Sequence, residues 1–180
     1  ATVDRKRILT SRFAYRDKNA GARKLGSDYE TLPIKPKARL VVGGHLDPDV
    51  DSGVLKTDAP TVSRLSLHSY MHLAVQRGWV PRSADVEAAF LRGSECPRNL
   101  FMRLPVRGIP GLHREQLCRI KNGIFGFVTS PRQWWTKMRT ELLNLTIHHD
   151  GNKLHFVQSR LDPCWFLLRD AAGRLRGQLC

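Results

Sequence analysis

Apolar and polar positions follow two periods along this chain, and the places where the period changes mark its elements. Residues 1–35 are polar and basic with few apolar anchors, and are expected to form a partly ordered lead-in. Ala38 to Val42 is a short apolar run that predicts a strand. His45 to Thr57, rich in Asp, Pro and Gly, predicts a loop. From about Val62 to Arg77 the apolar period lengthens to that of a helix. Leu67, Tyr70, Met71, Ala74 and Val75 form the expected buried stripe, and Gly78 forms the stop. Val80 to Val86 predicts a strand that presents Asp85 at its end. Leu100 to Arg103 and Leu117 to Ile120 predict short strands on either side of a turn rich in Gly and Pro. Ser130-Pro131-Arg132-Gln133 has the form of a capping box. The helix it opens is expected to reach about Leu145 and to bury Trp134 or Trp135, Met138, Leu142 and Leu145. Phe156-Val157, Trp165 to Leu168 and Leu175 to Leu179 predict closing strands. The order predicts an α+β chain, a sheet with helices on one face.

Charge adds a partner class to this picture. Thirty Lys and Arg against 16 Asp and Glu leave a net charge of +14, which attracts polyanions and makes nucleic acid the expected partner. The excess is concentrated in residues 1–45, where Arg5, Lys6, Arg7, Arg12, Arg16, Lys18, Arg23, Lys24, Lys35, Lys37 and Arg39 face four acids. Apolar content of 41% argues against wholesale disorder. Cys96, Cys118, Cys164 and Cys180 lack zinc-site spacing and are read as reduced thiols of an intracellular protein. No apolar run approaches a membrane span and no signal peptide is visible, so no membrane partner is expected.

The candidate chemistry centres on Ser83-Ala84-Asp85-Val86-Glu87-Ala88-Ala89-Phe90-Leu91. A carboxylate at a strand end suits a hard divalent cation. Two small residues after it let backbone N–H groups approach phosphate oxygens, and Phe90 can lie under a sugar. The same nonapeptide also suits an Asp that caps a short helix after a strand.

Further segments recur in fixed order around it: Lys37-Ala38-Arg39-Leu40-Val41-Val42-Gly43-Gly44, Asp58-Ala59-Pro60, Gly78-Trp79, Gly123 to Trp135, and Leu161-Asp162-Pro163-Cys164. Together, over about residues 10–180, they resemble the reverse transcriptase of copia-type LTR retrotransposons. The family's corresponding strings run close to KARLVARG, LDVKTAFLNG, LYGLKQAPRQWY and ADPCLY.

The resemblance implies a right-handed polymerase: a fingers portion over 36–80 and a palm over 81–180, with a fingers segment of about 95–128 interleaved. It implies two Mg²⁺ ions, with Mn²⁺ as an alternative, held through Asp85 and the Val86 carbonyl together with a paired Asp-Asp. That pair is absent from the 180 residues and is expected to follow them as Val-Asp-Asp. It also implies that Lys37 and Arg39 contact the triphosphate, and that Ala88 and Ala89 offer amides to it. Phe90 stands at the sugar gate, and Phe125-Gly126 lies beside the template base pair. The implied partners are an RNA or DNA template with primer, dNTPs, and the protease, integrase and RNase H segments of a Pol polyprotein, in a cytoplasmic particle and the nucleus.

The alternatives in the residues themselves stay open. Lys37 and Arg39 also suit exposed charges on an edge strand, and Phe90 an ordinary core position. Trp134 and Trp135 suit core positions at helical spacing, whereas Arg132 and Arg139 suit either a nucleic-acid backbone or solvent. Three departures count against activity. Val128 replaces a Lys, Glu87-Ala88 replaces Lys-Thr, and Gly43-Gly44 replaces the family's Arg-Gly ending. The competing readings are therefore an RNA-directed DNA polymerase segment, a catalytically inactive, domesticated or decayed nucleic-acid-binding remnant, and a fragment that associates through an exposed palm edge.

Two other constellations imitate metal sites. Asp47 to Gly53 resembles a calcium loop, but its glycine comes one position late and Asp58 stands where Glu is needed, so it reads as an acidic turn. His148, His149, Asp150 and His155 read as exposed loop residues, and His68 and His72 lack a zincin's glutamate.

Overall fold

The computed structural model describes residues 3–23, 32–50 and 52–180. In chain order the elements are β1 (Ile8–Leu9), β2 (Ser11–Asp17), α1 (Ala20–Arg23), β3 (Pro36–Val42), α2 (Arg64–Gln76), β4 (Phe101–Arg103), β5 (Leu117–Arg119), α3 (Ser130–Asn144), β6 (Thr146–His149), β7 (Asn152–Gln158), β8 (Phe166–Asp170) and β9 (Leu175–Leu179). The mixed α+β class expected from the sequence is the class observed. The chain divides into two compact units, residues 1–56 with 95–130, and residues 57–94 with 131–180.

In the first unit β2 and β3 form an antiparallel ribbon, while β1, β4 and β5 form a small sheet in the order β1-β4-β5. The core beneath them is Leu9, Val42, Cys96, Leu100, Ile120 and Phe127. Each fully buried side chain of this size contributes about 1.5–3 kcal/mol. The segment read as a lead-in therefore holds two strands. Phe13 and Tyr15 alternate with Arg12, Ala14 and Arg16, a period of two that the high charge obscures. The acidic loop closes on itself: Asp47, 2% exposed, takes the Arg98 guanidinium at 2.8 Å, and Asp49 takes Arg98 at 2.9 Å and Arg7 at 3.1 Å. Those two carboxylates are neutralised by arginine, as an acidic turn requires; Asp51 lies outside the described residues.

In the second unit β6-β7-β8-β9 form an antiparallel sheet in sequence order. β6 lies where an exposed loop was expected. Asp150 and Gly151 both adopt positive φ, 47° and 71°, the conformation an Asp-Gly hairpin turn demands. His148, His149 and His155 are exposed on this hairpin. α2 starts where Ser63 accepts a hydrogen bond from the Ser66 N–H. It ends with Gly78 at φ 64°, the Gly78 N–H donating to Val75 and the Trp79 N–H to Ala74, a Schellman stop.

Of the stripe expected of α2, only Ala74 is buried and Tyr70 half-buried. Ser66 and Ala74 are its buried residues, while Leu67 and Met71 are each 44% and Val75 76% exposed. The helix is turned by polar contacts: Ser66 bonds to the Ser63 hydroxyl at 2.8 Å, and the Gln178 amide donates to the Tyr70 carbonyl at 2.7 Å. α3 spans the expected range, but Trp134, Trp135, Met138 and Leu142 are only half-buried and Leu145 is exposed beyond its end. Nor does Ser130 cap it. Its hydroxyl instead accepts from the Ile124 N–H and donates to the Ile124 carbonyl, at 2.9 and 2.8 Å.

Candidate active site

The expected strand over Val80 to Val86 is not formed. These residues have no ladder partner, and Val80 through Val86 are exposed. Pro81 removes a donor the ladder would need, and Arg82 and Ser83 offer no apolar face to bury. Asp85 thus stands exposed at the end of an unpaired segment. The chain then turns sharply: Ala88 adopts the left-handed conformation at φ 53°, ψ 39°, and Ala89–Arg92 close a 3-10 turn.

Contacts on its far side anchor this turn. The Leu91 N–H donates to the Ala88 carbonyl at 2.9 Å, and the Arg92 Nε to the Glu87 carbonyl at 2.9 Å. Gly93 lies so close to the start of α3 that a Cβ there would sit 3.1 Å from the Trp134 nitrogen. Val86 and Ala88 remain exposed, whereas Ala89 and Phe90 are half-buried. The small alanine side chains leave the backbone accessible beside Asp85, and Phe90 leans towards the protein.

The remaining predicted residues come together in the first unit. Directly opposed residues of an antiparallel pair share a face. The register Arg12↔Val41, Ala14↔Arg39 and Arg16↔Lys37 therefore places Arg12, Arg16, Lys37 and Arg39 on one face of the β2–β3 ribbon. Phe13, Tyr15, Ala38 and Leu40 occupy the other. Arg12 and Arg16 were not singled out as site residues: the alternation within each strand is readable in the chain, but their sharing a face with Lys37 and Arg39 follows from the register.

The Arg39 guanidinium carbon lies 5.1 Å from the centre of the Phe125 ring, a cation–π contact that orients the fork. Phe125 is held by a parallel bridge to Val41, and its carbonyl accepts from the Val42 N–H at 2.8 Å. Gly126 follows at φ 82°; a Cβ there would strike the Val42 carbonyl oxygen, and one on Gly44 would strike the Gly126 carbonyl. Two glycines thus let two backbones meet. Arg12, Val41, Gly43, Gly44, Gly126 and Val128 line an open cavity of about 560 Å³ at this junction.

The two buried acids of the second unit, Asp162 and Asp170, are committed elsewhere. Asp162, 3% exposed, accepts from the Ser63 N–H at 2.9 Å and the Cys164 N–H at 2.8 Å. Burial raises its pKa, but these amides and the Ser66 and Ser63 hydroxyls outweigh it and hold the carboxyl below its ordinary value. Asp170, equally buried, takes the guanidiniums of Arg174 at 2.8 Å and Arg176 at 2.9 Å. There too burial works upward, and the Arg174 amide with both guanidiniums brings the pKa down to about 2. Among the described residues no group of three or more His, Cys, Asp or Glu side chains is placed to hold a metal ion. A pair of Mg²⁺ ions needs several carboxylates around it, so the described residues do not compose a two-ion site by themselves.

Comparison with known proteins points to the same family as the sequence resemblance. Residues 8–159 match the family model for reverse transcriptase (RNA-dependent DNA polymerase). The chain is 31% identical over 134 residues, 74% of its length, to the retrovirus-related Pol polyprotein from transposon RE2 of Arabidopsis thaliana. It is 29% identical over 134 residues to that from transposon RE1 of the same plant, again over 74% of its length. It is 24% identical over 148 residues, 81% of its length, to that from transposon TNT 1-94 of Nicotiana tabacum. The chain spans 8% of the first two relatives and 10% of the third. No solved structure matches it. No helix among the described residues is long and apolar enough to cross a membrane. With the family model covering residues 8–159 of 180, this chain belongs to the reverse transcriptase (RNA-dependent DNA polymerase) family.

Proposed function

We propose that this chain is the nucleotide-selecting part of an RNA-directed DNA polymerase within a retrotransposon Pol polyprotein. The unit of 1–56 and 95–130 acts as fingers, and the unit of 57–94 and 131–180 as palm. The observation that carries this reading is the joint fixing of Arg39, Phe125 and Gly126 beside a ribbon face bearing four cations.

In this reading Lys37 and Arg39 bind the phosphates of an incoming dNTP, the Arg fork engaging two oxygens at once. Ala88 and Ala89 offer backbone N–H groups to a triphosphate. Phe90 fills the space that a ribose 2′-hydroxyl would occupy, and so favours deoxynucleotides. Phe125 and Gly126 lie beside the template base pair. Asp85 and the Val86 carbonyl are the residues that would face a divalent cation. A two-ion site needs carboxylates beyond those the 180 residues gather there. Template, primer and the remaining Pol segments are the partners, and a cytoplasmic particle and the nucleus are the compartments.

Binding of dNTP tests the reading directly. Removing charge on the fingers face with Arg39→Gln should weaken dNTP binding by about tenfold, roughly 1.4 kcal/mol for one charge-assisted contact. Template–primer affinity should change far less. Equal loss of both would mean that Arg39 serves general polyanion binding and not the nucleotide.

A further inference from the structure

A second cationic site lies on the opposite sequence arm, where α3 meets the loop after β7. Arg132, Trp135, Arg139, Gln158, Ser159 and Arg160 line an open cavity of about 530 Å³. The Arg132 guanidinium carbon is 5.1 Å, and that of Arg139 6.0 Å, from the centre of the Trp135 ring. Two guanidiniums share one indole, and Arg160 stands exposed at the rim.

The two stacked forks are held in place. Arg139 Nε donates to the Gln158 side-chain oxygen Oε1 at 2.8 Å, and the Gln158 side-chain Nε2 donates to the Pro163 carbonyl at 2.7 Å. Arg132 Nη1 donates to the Asp58 carboxylate at 3.1 Å and to its backbone carbonyl at 3.2 Å. A guanidinium that stacks on a ring spends its face and keeps its in-plane N–H groups for an acceptor. Among the described residues the two Nη groups of Arg139 meet no hydrogen-bond partner.

Charge decides what the cavity takes. Its lining contains no carboxylate, and Asp58, the acid at Arg132, is 79% exposed and therefore weakly compensating. Three guanidiniums with the Thr136 and Ser159 hydroxyls form a donor-rich, anion-seeking surface. Forks of this kind match phosphate oxygens in pairs, and hydroxyls complete such contacts along a nucleic-acid backbone.

We propose that this cavity is a phosphodiester-binding site for a single-stranded nucleic acid, separate from the nucleotide contacts of the fingers. Arg139 and Arg160 grip the phosphate, Arg132 adds charge, and the Trp135 indole fixes the forks. The proposal rests on the nucleic-acid partner of the function proposed above.

The test follows the Trp135 indole N–H resonance of the ¹⁵N-labelled chain, assigned through Trp135→Phe, during titration with an oligo-dT 12-mer. The resonance should shift and saturate along the same curve as total oligonucleotide binding. In Arg139→Gln/Arg160→Gln the slope of log K against log salt should fall by about 1.4, at roughly 0.7 per phosphate contact on a single strand. Arg160 is exposed and makes no hydrogen bond or ion pair among the described residues, so Arg160→Gln alone should fold as the wild type does and lower the slope by about 0.7. An unmoved Trp135 resonance with oligonucleotide still bound overturns the site and leaves the family function standing. Absence of oligonucleotide binding at any salt overturns both. An equal shift from poly-glutamate at matched charge overturns the phosphate assignment.

Discussion

The Asp162 carboxylate accepts a hydrogen bond at 2.9 Å from the backbone N–H of Ser63, 99 residues earlier, and so fastens the start of α2 to the loop that leads into β8. The other carboxylate oxygen takes the Cys164 N–H at 2.8 Å. The Asp162-Pro163-Cys164 string thus acts as a clasp within the second unit. Asp162→Ala would remove the acceptor of two part-buried amides and should destabilise that unit by about 2 kcal/mol. Asp162→Asn, which keeps an acceptor, should cost about 1 kcal/mol. Urea unfolding of the two variants measures the difference, and equal stability would mean the clasp carries no load.

Gly126 and Gly108 both have positive φ, 82° and 72°, but only Gly126 has backbone in the path of a Cβ. Gly126→Ala should therefore destabilise the first unit by about 3 kcal/mol, the sum of a strained conformation and an overpacked junction. Gly108→Ala has open space around it and should cost about 1 kcal/mol from conformation alone. Thermal melts followed by circular dichroism would rank the pair. A reversed order would remove Gly126 from the junction between Val42 and Phe125.

Acid should act through Asp170. Its carboxyl titrates at about 2 in the folded chain against an ordinary value of 3.8. A lowered folded pKa stabilises the fold above about pH 4, and that contribution is lost as pH falls towards 2. Asp162, also lowered, acts in the same direction. The urea midpoint should therefore drop between pH 4 and pH 2, and Asp170→Asn should flatten the drop. An unchanged pH dependence in that variant would contradict the role of the Arg174–Asp170–Arg176 cluster.

Much of this architecture was legible in the chain, and the misses share a physical origin. The span of α2 and its stop at Gly78 were readable because a C-terminal glycine is local chemistry. The buried face of α2 was not, because periodicity counts apolar residues. What turned this helix was a polar network of Ser63, Ser66 and Asp162 that forms only in the fold. The same applies to Ser130, whose hydroxyl bonds to Ile124 where local spacing suggested a cap to its own helix. The strand expected before Asp85 failed because pairing depends on a neighbour that no local pattern reveals. The β6–β7 hairpin did carry a readable signal, Asp150-Gly151, masked by the adjacent polar histidines. Of the candidate site, the ordered motifs were visible in the sequence, whereas the shared face of Arg12, Arg16, Lys37 and Arg39 needed the strand register.

The most direct test of the proposed function is primer extension by the Pol polyprotein that carries this segment, comparing the wild type with Asp85→Asn on an RNA template with a DNA primer. Asp85 is exposed and among the described residues makes no contact that folding depends on, so the variant should fold and bind template–primer as the wild type does. Extension should fall by at least about 10³-fold, some 4 kcal/mol of transition-state stabilisation. Extension retained near the wild-type rate, with binding intact, would contradict the assignment of Asp85 and with it this account of the site.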